Sequence, residues 1–98
     1  MNLWKVKEDM KTVVLHFKNI RTRTQAHEYL KKELGFPDYY GENLDALWDM
    51  LTNESERLEI VIRNGNEFIE NLGEYGKNLL DTMLEAGEEN PMLSIEWE

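Results

Sequence analysis

Apolar and polar residues follow one another along this chain in blocks that predict three strands separated by helices. The block TVVLHFKNI at residues 12–20 is β-branched and apolar, which predicts a strand that could be covered on both faces. A second short apolar block, LEIVI, lies at residues 58–62, and LSIEW at residues 93–97 alternates apolar and polar positions. Both of these blocks are typical of strands.

Between the first two strand blocks, residues 22–37 (TRTQAHEYLKKELGFP) carry apolar side chains at helical spacing. Thr22, with Thr24 or Gln25 nearby, is a suitable cap for the start of the helix. Gly35 followed by Pro37 indicates its end.

Three further helices are predicted from the same spacing. One covers residues 44–52, and a short one begins after the turn NGNEF, near Phe68. The last lies within residues 75–91, where the pattern indicates an end at Gly87 and Pro91. Strands that alternate with helices in this way are typical of an α/β fold, so we expect a three-stranded parallel sheet packed with about four helices.

Length and composition fit a single domain at residues 1–98, with residues 1–11 as an N-terminal extension. The chain has 98 residues, of which 41% are hydrophobic, enough for one modest core. It contains no cysteine, which excludes disulfides and thiolate zinc sites and fits the reducing cytoplasm. No segment has the length of a signal peptide core or of a membrane span, so we expect a cytoplasmic protein with no membrane partner.

The net charge of −9 is distributed unevenly. Residues 1–32 hold eight Lys/Arg and three Asp/Glu. Residues 33–98 hold three Lys/Arg and seventeen Asp/Glu. From Glu33 through Glu56 there are seven acids and no base. A groove that binds phosphates needs the opposite charge, so nucleic acid is not expected as a direct partner. A basic protein surface is the better expectation.

The stretch PDYYGENLDALWDML at residues 37–51 concentrates this acidity on one predicted helix. Helical spacing separates an apolar stripe from Asp45 and Asp49, which lie one turn apart on another face. The stripe comprises Leu44, Leu47, Trp48 and Leu51. Asn43 is placed to cap the start of the helix.

Asp49 gains no stability from this position, because the helix dipole is unfavourable there and Asp45 repels it. Such a pair costs about 0.2–0.5 kcal/mol. One interpretation is a face that only contacts solvent. The other is a protein interface, favoured by the lack of nearby bases and by the aromatic residues Tyr39, Tyr40 and Trp48 around the acids.

An enzymatic function is the weaker interpretation. Asp45 and Asp49 could act as an acid and base pair or bind a divalent cation. The chain has no Gly-rich phosphate loop, nucleophile motif or recognised metal-ligand spacing. His16 and His27 lie outside any paired motif, and we interpret each as a packed or surface residue. The sequence therefore predicts no catalytic residue, no metal site and no cofactor.

Residues 30–52, LKKELGFPDYYGENLDALWDMLT, closely resemble the signature region of the barstar family, intracellular inhibitors of barnase-type ribonucleases. Weaker similarity covers the rest of residues 12–95. The resemblance implies a three-stranded parallel sheet packed with helices. It also implies that an acidic helix and the loop before it block the active site of a basic ribonuclease. The partner would be that nuclease, bound by a monomer in a one-to-one complex.

The resemblance further implies which residues contact the nuclease. Asp49 would lie deepest in the cleft, with Asp45 beside it and the Tyr39 ring at the rim. Glu85 is the matching acid of the last helix. The complete set of partner-binding residues implied in this way is Tyr39, Asn43, Leu44, Asp45, Trp48, Asp49, Thr52 and Glu85.

This chain differs from the family pattern just after the acidic helix. Asn53 and Glu54 stand where barstar has a Gly and then a Trp, so one contact at the edge of the surface is absent or rebuilt. Met50 and Pro91 stand where barstar has cysteines, which affects packing rather than inhibition. The alternative function is a binding module that keeps the scaffold and recognises another basic protein or toxin.

Overall fold

The computed structural model describes residues 10–98, and within that range it contains three strands and four helices. In chain order the elements are β1 (Lys11–His16), α1 (Arg23–Leu34), α2 (Leu44–Thr52), β2 (Leu58–Arg63), α3 (Gly65–Leu72), α4 (Glu74–Glu89) and β3 (Leu93–Trp97). The predicted α/β fold is confirmed. Residues 1–9 of the predicted N-terminal extension lie outside the described residues, and β1 begins at Lys11.

The three strands form a parallel sheet in the order β1-β2-β3. In its register, Val13 lies opposite Ile60, and Ile60 lies opposite Ile95. The large buried side chains of the core come from the sheet and from all four helices. Those that are almost completely enclosed are Leu15, Phe17, His27, Leu30, Leu47, Leu51, Ile60, Ile62, Phe68, Leu79, Leu80 and Met83.

The expectation that the first strand could be covered on both faces is wrong. Val13 and Leu15 are buried, whereas Val14 is half-buried and His16 is exposed. Alternate residues of a strand point to opposite faces of the sheet. One face of β1 therefore packs into the core, and the other is open enough to leave a histidine in solvent.

The predicted ends of α1 are confirmed. The Thr22 hydroxyl accepts a hydrogen bond from the Gln25 backbone N–H at 3.1 Å, and the Gln25 side chain accepts one from the Arg21 N–H at 2.8 Å. This reciprocal arrangement satisfies two backbone donors at the helix start. The helix ends at Gly35, which has a φ of 67° and thus the left-handed conformation common at helix ends.

The predicted end of α4 at Gly87 is wrong, because the helix continues through Gly87 to Glu89. The glycine serves packing instead. A Cβ atom at position 87 would lie 2.8 Å from Cγ1 of Ile95, so only a residue without a side chain lets α4 approach β3 this closely.

Among the described residues, no helix is both long and apolar enough to span a membrane.

Gly87→Ala is accordingly expected to lower the free energy of unfolding by about 1–2 kcal/mol, because overpacking against Ile95 outweighs the gain in helix propensity. At an exposed helical position the same change stabilises by about 1 kcal/mol. Urea denaturation measures the difference. Ile95→Ala removes the side-chain atoms that would clash with a Cβ atom at position 87. In a protein that carries Ile95→Ala, adding Gly87→Ala should therefore no longer lower the free energy of unfolding. A stabilised Gly87→Ala single variant would contradict this account of the helix–strand contact.

Candidate functional site

Helix α2 is fixed to the domain by its apolar side and by a side-chain cap at its start. The Asn43 side-chain oxygen accepts a hydrogen bond from the Ala46 N–H at 2.7 Å, which confirms the predicted cap. Leu47 and Leu51 are 0% and 1% exposed, and Leu44 is half-buried against the same core. The helix therefore has one fixed orientation relative to the sheet.

Asp45 and Asp49 project from the opposite side of α2 and are exposed. Within residues 10–98, the ion pairs are Lys31–Asp38, Arg63–Glu98 and Lys77–Asp81. Neither aspartate of α2 has a basic group within ion-pair distance in that part of the chain, and the last turn of the helix carries no base. The described part of the chain thus leaves the two like charges without a counter-charge on this helix.

The aromatic residues near these acids have different environments. Tyr39 is 81% exposed, so its ring is available to a partner. Trp48 is half-buried and packs on the edge of the core, as helical spacing predicted. Tyr40 is only 4% exposed and packs against Phe36 with ring centroids 4.7 Å apart. The inclusion of Tyr40 among surface aromatics is therefore wrong.

The loop at residues 35–43 leads from α1 into the acidic helix and contains an unusual backbone conformation. Glu42 has a φ of 52°, in the left-handed region that non-glycine residues seldom adopt. Such conformations cost about 1–3 kcal/mol and persist where surrounding contacts enforce them. Here the Tyr40 N–H donates to the Pro37 carbonyl at 3.0 Å and Asn43 caps α2, so the turn is held on both sides of Glu42.

Hydrogen bonds hold the end of α2, where the chain differs from the family pattern. The Thr52 hydroxyl donates to the Trp48 carbonyl at 2.7 Å. Asn53 donates to the Asp49 carbonyl through both its backbone N–H at 3.1 Å and its side-chain amide at 2.8 Å. Asn53 thus closes the helix locally, through the backbone carbonyl of Asp49.

Asn90 is a supporting residue of this surface that the sequence did not reveal. Its side chain is buried after α4, and its amide donates to the carbonyls of Leu51 and Glu54, both at 2.9 Å. Its side-chain oxygen accepts from the Met92 N–H at 3.0 Å. One amide therefore joins the end of the acidic helix to the connection before β3. The only signal in the sequence is an Asn before Pro91, which also fits an ordinary helix end.

His27 is a second residue whose role the sequence did not reveal, although its interpretation as a packed histidine is correct. It is 1% exposed, with Nδ1 2.7 Å from the Tyr40 hydroxyl and Nε2 2.6 Å from the Tyr75 hydroxyl. Burial lowers the pKa of His27, and the nearby charge of Glu42 partly opposes this effect. Burial also raises the pKa of Tyr40, with contributions from Tyr75 and Glu42, so its hydroxyl stays protonated.

The structure places seven of the eight predicted binding residues on the continuous segment 39–52. The eighth, Glu85, is exposed on α4, and α4 packs against α2. Within residues 10–98, no group of three or more His, Asp or Glu side chains is arranged to hold a metal ion. The arrangement is suited to contacting basic groups of a macromolecule through carboxylates flanked by aromatic rings.

Comparison with known proteins identifies related sequences over most of the chain. A family model described as Barstar (barnase inhibitor) matches residues 10–96, from the residue before β1 into β3. A relative from Bacillus subtilis (strain 168), named "Putative ribonuclease inhibitor YrdF", is 39% identical over 84 residues. This alignment spans 82% of the present chain and 89% of the relative.

Proposed function

This chain belongs to the barstar family, and on that basis we propose that it inhibits a basic, barnase-type ribonuclease by binding to the active site of the nuclease. The inhibitor surface consists of α2, the loop at residues 35–43 and Glu85 of α4. The observation that carries the proposal is the pair of exposed carboxylates of Asp45 and Asp49 on a rigidly held helix, neither of which pairs with a base within residues 10–98.

The chemistry of a ribonuclease cleft explains why such a surface fits it. A ribonuclease holds the RNA phosphate with Arg, Lys and His side chains, and carboxylates can accept hydrogen bonds from the same donors. Asp49 occupies the deepest position, and Asp45 engages basic groups beside it. Tyr39 contacts the rim with its exposed ring, and Glu85 adds an acid from α4.

The remaining proposed contacts lie between these acids and the core. Asn43 hydrogen-bonds to the partner through groups that its cap leaves unused, whereas Leu44 and Trp48 pack at the border of core and interface. Thr52 lies at the end of the surface. The inhibitor acts as a monomer in a one-to-one complex, without enzymatic activity of its own. We place it in the cytoplasm, which the absence of cysteine fits.

Competition with a nucleotide tests whether the active site itself is blocked. A guanosine monophosphate that occupies the phosphate site of a barnase-type ribonuclease should raise the apparent Kd of the inhibitor in proportion to the nucleotide concentration. Fluorescence or calorimetric titration at several nucleotide concentrations measures this effect. Binding that is independent of the nucleotide would mean that the inhibitor binds outside the active site. An absence of binding would contradict the proposal that a barnase-type ribonuclease is the target.

Salt is expected to affect association much more than dissociation. Raising NaCl from about 0.05 M to about 0.5 M shortens the Debye length from about 14 Å to about 4 Å, which screens the long-range attraction between acidic inhibitor and basic nuclease. We expect kon to fall at least about tenfold while koff changes less than about threefold. Stopped-flow mixing measures both rates. Equal changes in the two rates would mean that opposite charge does not steer the encounter.

A second candidate function is the recognition of another basic protein or toxin on the same scaffold. The closure of α2 by Asn53 beside Asp49 favours this alternative, because it changes the surface where the family pattern has a Gly and a Trp. Capture experiments from native extract with wild type and Asp49→Ala separate the two. A basic protein that is lost with the substitution and has no ribonuclease activity would support the alternative.

A further inference from the structure

Strand β3 forms one edge of the sheet, and its hydrogen bonds show which of its backbone groups point outward. The Met92 carbonyl accepts a hydrogen bond from β2 at 2.9 Å, and the Glu98 N–H donates one to β2 at 2.9 Å. In a parallel pair every second residue bonds to the neighbouring strand, so the even-numbered residues between these two also bond to β2. The residues whose backbone N–H and C=O groups point away from the sheet are Leu93, Ile95 and Trp97.

Most of these outward groups are available to a further strand. The Leu93 N–H donates to the Asn90 carbonyl at 3.0 Å, whereas the N–H groups of Ile95 and Trp97 have no acceptor within residues 10–98. At the opposite edge of the sheet, the His16 N–H of β1 donates to a tyrosine hydroxyl at 2.7 Å. Unpaired backbone groups along an edge are a template for pairing with another chain. The β3 edge is therefore the better suited of the two to take another strand.

A groove of about 400 Å³ lies beside this edge, between β3 and α4. Leu84 is half-buried and lies outside the buried residues that α4 adds to the core. Leu84 thus gives the groove an apolar side chain that the core does not use. The residues that line the groove are Leu84, Gly87, Glu88, Leu93, Ser94 and Ile95.

A strand added beside β3 would place its alternate side chains in two different environments. Side chains on the helix side would enter the groove, next to Leu84 and Ile95. Side chains on the other side would lie beside Ser94 and Glu96, which are exposed on the open face of the sheet. Apolar residues fit the first environment and polar residues fit the second. The edge therefore suits a segment in which the two kinds of residue alternate.

The charge around the groove indicates the kind of polar residue. Residues 84–98 contain five Glu and no Lys, Arg or His. Glu88 and Glu96 are exposed, and neither has an ion-pair partner within residues 10–98. Opposite charges on neighbouring strands stabilise the pairing, whereas like charges oppose it. A basic segment is therefore favoured, and pairing with a second copy of this acidic edge is disfavoured.

We propose that the β3 edge is a docking site for an extended segment of a partner protein in which apolar residues alternate with Lys or Arg. The segment adds a fourth strand to the sheet and bonds to the backbone of Ile95 and Trp97. Its apolar side chains enter the groove, and its basic side chains lie beside Glu96. None of the groove-lining residues belongs to the inhibitor surface, so this site does not depend on ribonuclease inhibition.

Hydrogen exchange in the free protein tests whether the edge is open. The amides of Ile95 and Trp97 should exchange at least about tenfold faster than those of Ser94 and Glu96, which bond to β2. Protection of Ile95 and Trp97 in the monomer would mean that the chain itself covers the edge. Protection that grows with protein concentration would mean that a second copy covers it. Either result overturns the inference.

An octapeptide in which valine and lysine alternate serves as the probe for the basic segment. Adding it to the isotope-labelled protein should shift the amide signals of Ile95 and Trp97 and slow their exchange at least about tenfold, while Val14 in β1 stays unchanged. The same peptide with glutamate in place of lysine should bind at least about tenfold more weakly. Shifts confined to α2 would mean that the peptide binds only the acids of that helix, which overturns the inference.

Methylation of the peptide nitrogens separates strand addition from simple attraction between charges. The valine N–H groups face β3 in an antiparallel strand, and the lysine N–H groups face it in a parallel one. At least one of the two methylated peptides should therefore bind at least about tenfold more weakly than the unmodified peptide. Undiminished binding of both would show that no backbone bonds form and would overturn the inference.

Variants of the protein test the two side-chain environments. Glu96→Lys should weaken binding of the valine–lysine peptide at least about fivefold, whereas Glu70→Lys, an equal change of charge on α3, should change it less than about twofold. Leu84→Ala should weaken binding about three- to tenfold through the loss of apolar contact in the groove. Equal losses in Glu96→Lys and Glu70→Lys, or full affinity in both Glu96→Lys and Leu84→Ala, would overturn the inference.

Discussion

Asp49→Ala is expected to weaken binding to a barnase-type ribonuclease by at least about thirtyfold, while the free energy of unfolding stays the same or rises by a few tenths of a kcal/mol. The two effects differ because Asp49 has no ion-pair partner within residues 10–98. It is exposed, lies one turn from Asp45 and stands near the negative end of the helix dipole. Its removal relieves repulsion in the free protein.

In the complex that we propose, the same carboxylate would be enclosed by the basic groups with which the nuclease binds phosphate. Removing it leaves those groups buried without a counter-charge, which costs about 2–5 kcal/mol and corresponds to about thirty- to several thousandfold in Kd. Paired calorimetric titrations and urea denaturation curves measure the two quantities. The loss should appear mainly as faster dissociation.

Glu70→Ala is the matched control, because Glu70 is an exposed acid of α3 and its removal changes the net charge equally. Its affinity should remain within about threefold of wild type. A similar loss in both variants would mean that only the total charge matters. A loss of more than about 1 kcal/mol in the stability of Asp49→Ala would show that the residue supports the fold.

Asn90→Ala is expected to lower the free energy of unfolding by about 2–4 kcal/mol, because several buried polar groups lose their partner at once. The carbonyls of Leu51 and Glu54 lose a donor, and the Met92 N–H loses an acceptor. The substitution also frees the end of α2 from the connection before β3. Thermal and urea denaturation measure the stability, and a lower midpoint with an unchanged m value is expected.

Asn78→Ala on α4 provides the comparison for this prediction. Asn78 is exposed, and its replacement by a better helix former should change stability by less than about 0.5 kcal/mol. If Asn90→Ala were as stable as Asn78→Ala, water would be able to replace the buried amide. The end of the acidic helix would then need another explanation for its position.

Local signals in the sequence were sufficient for the elements and for several of their ends. The caps at Thr22 and Asn43 and the helix end at Gly35 depend on neighbouring residues alone, and the structure confirms them. Helical spacing also separated the buried side of α2 from its acidic side. These features were predictable because each follows from the chemistry of a few adjacent positions.

Features that depend on distant contacts were not predictable in this way. Gly87 has the sequence signal of a helix end, but its role is set by Ile95 on β3. Tyr40 is adjacent to exposed Tyr39, yet its burial depends on His27 and Phe36. The contact between Asn90 and Leu51 spans 39 residues. In each case the sequence shows a suitable residue type, whereas the partner becomes known only when the elements are packed together.

The central claim, that α2 and its preceding loop block a ribonuclease active site, is tested most directly by titrating RNA cleavage. A barnase-type ribonuclease at fixed concentration should lose activity linearly as the protein is added, reaching zero at one inhibitor per nuclease. Asp49→Ala, because of its larger Kd, should need a higher concentration than wild type for the same loss of activity. Full cleavage activity at saturating, micromolar concentrations of the wild-type protein would contradict the claim.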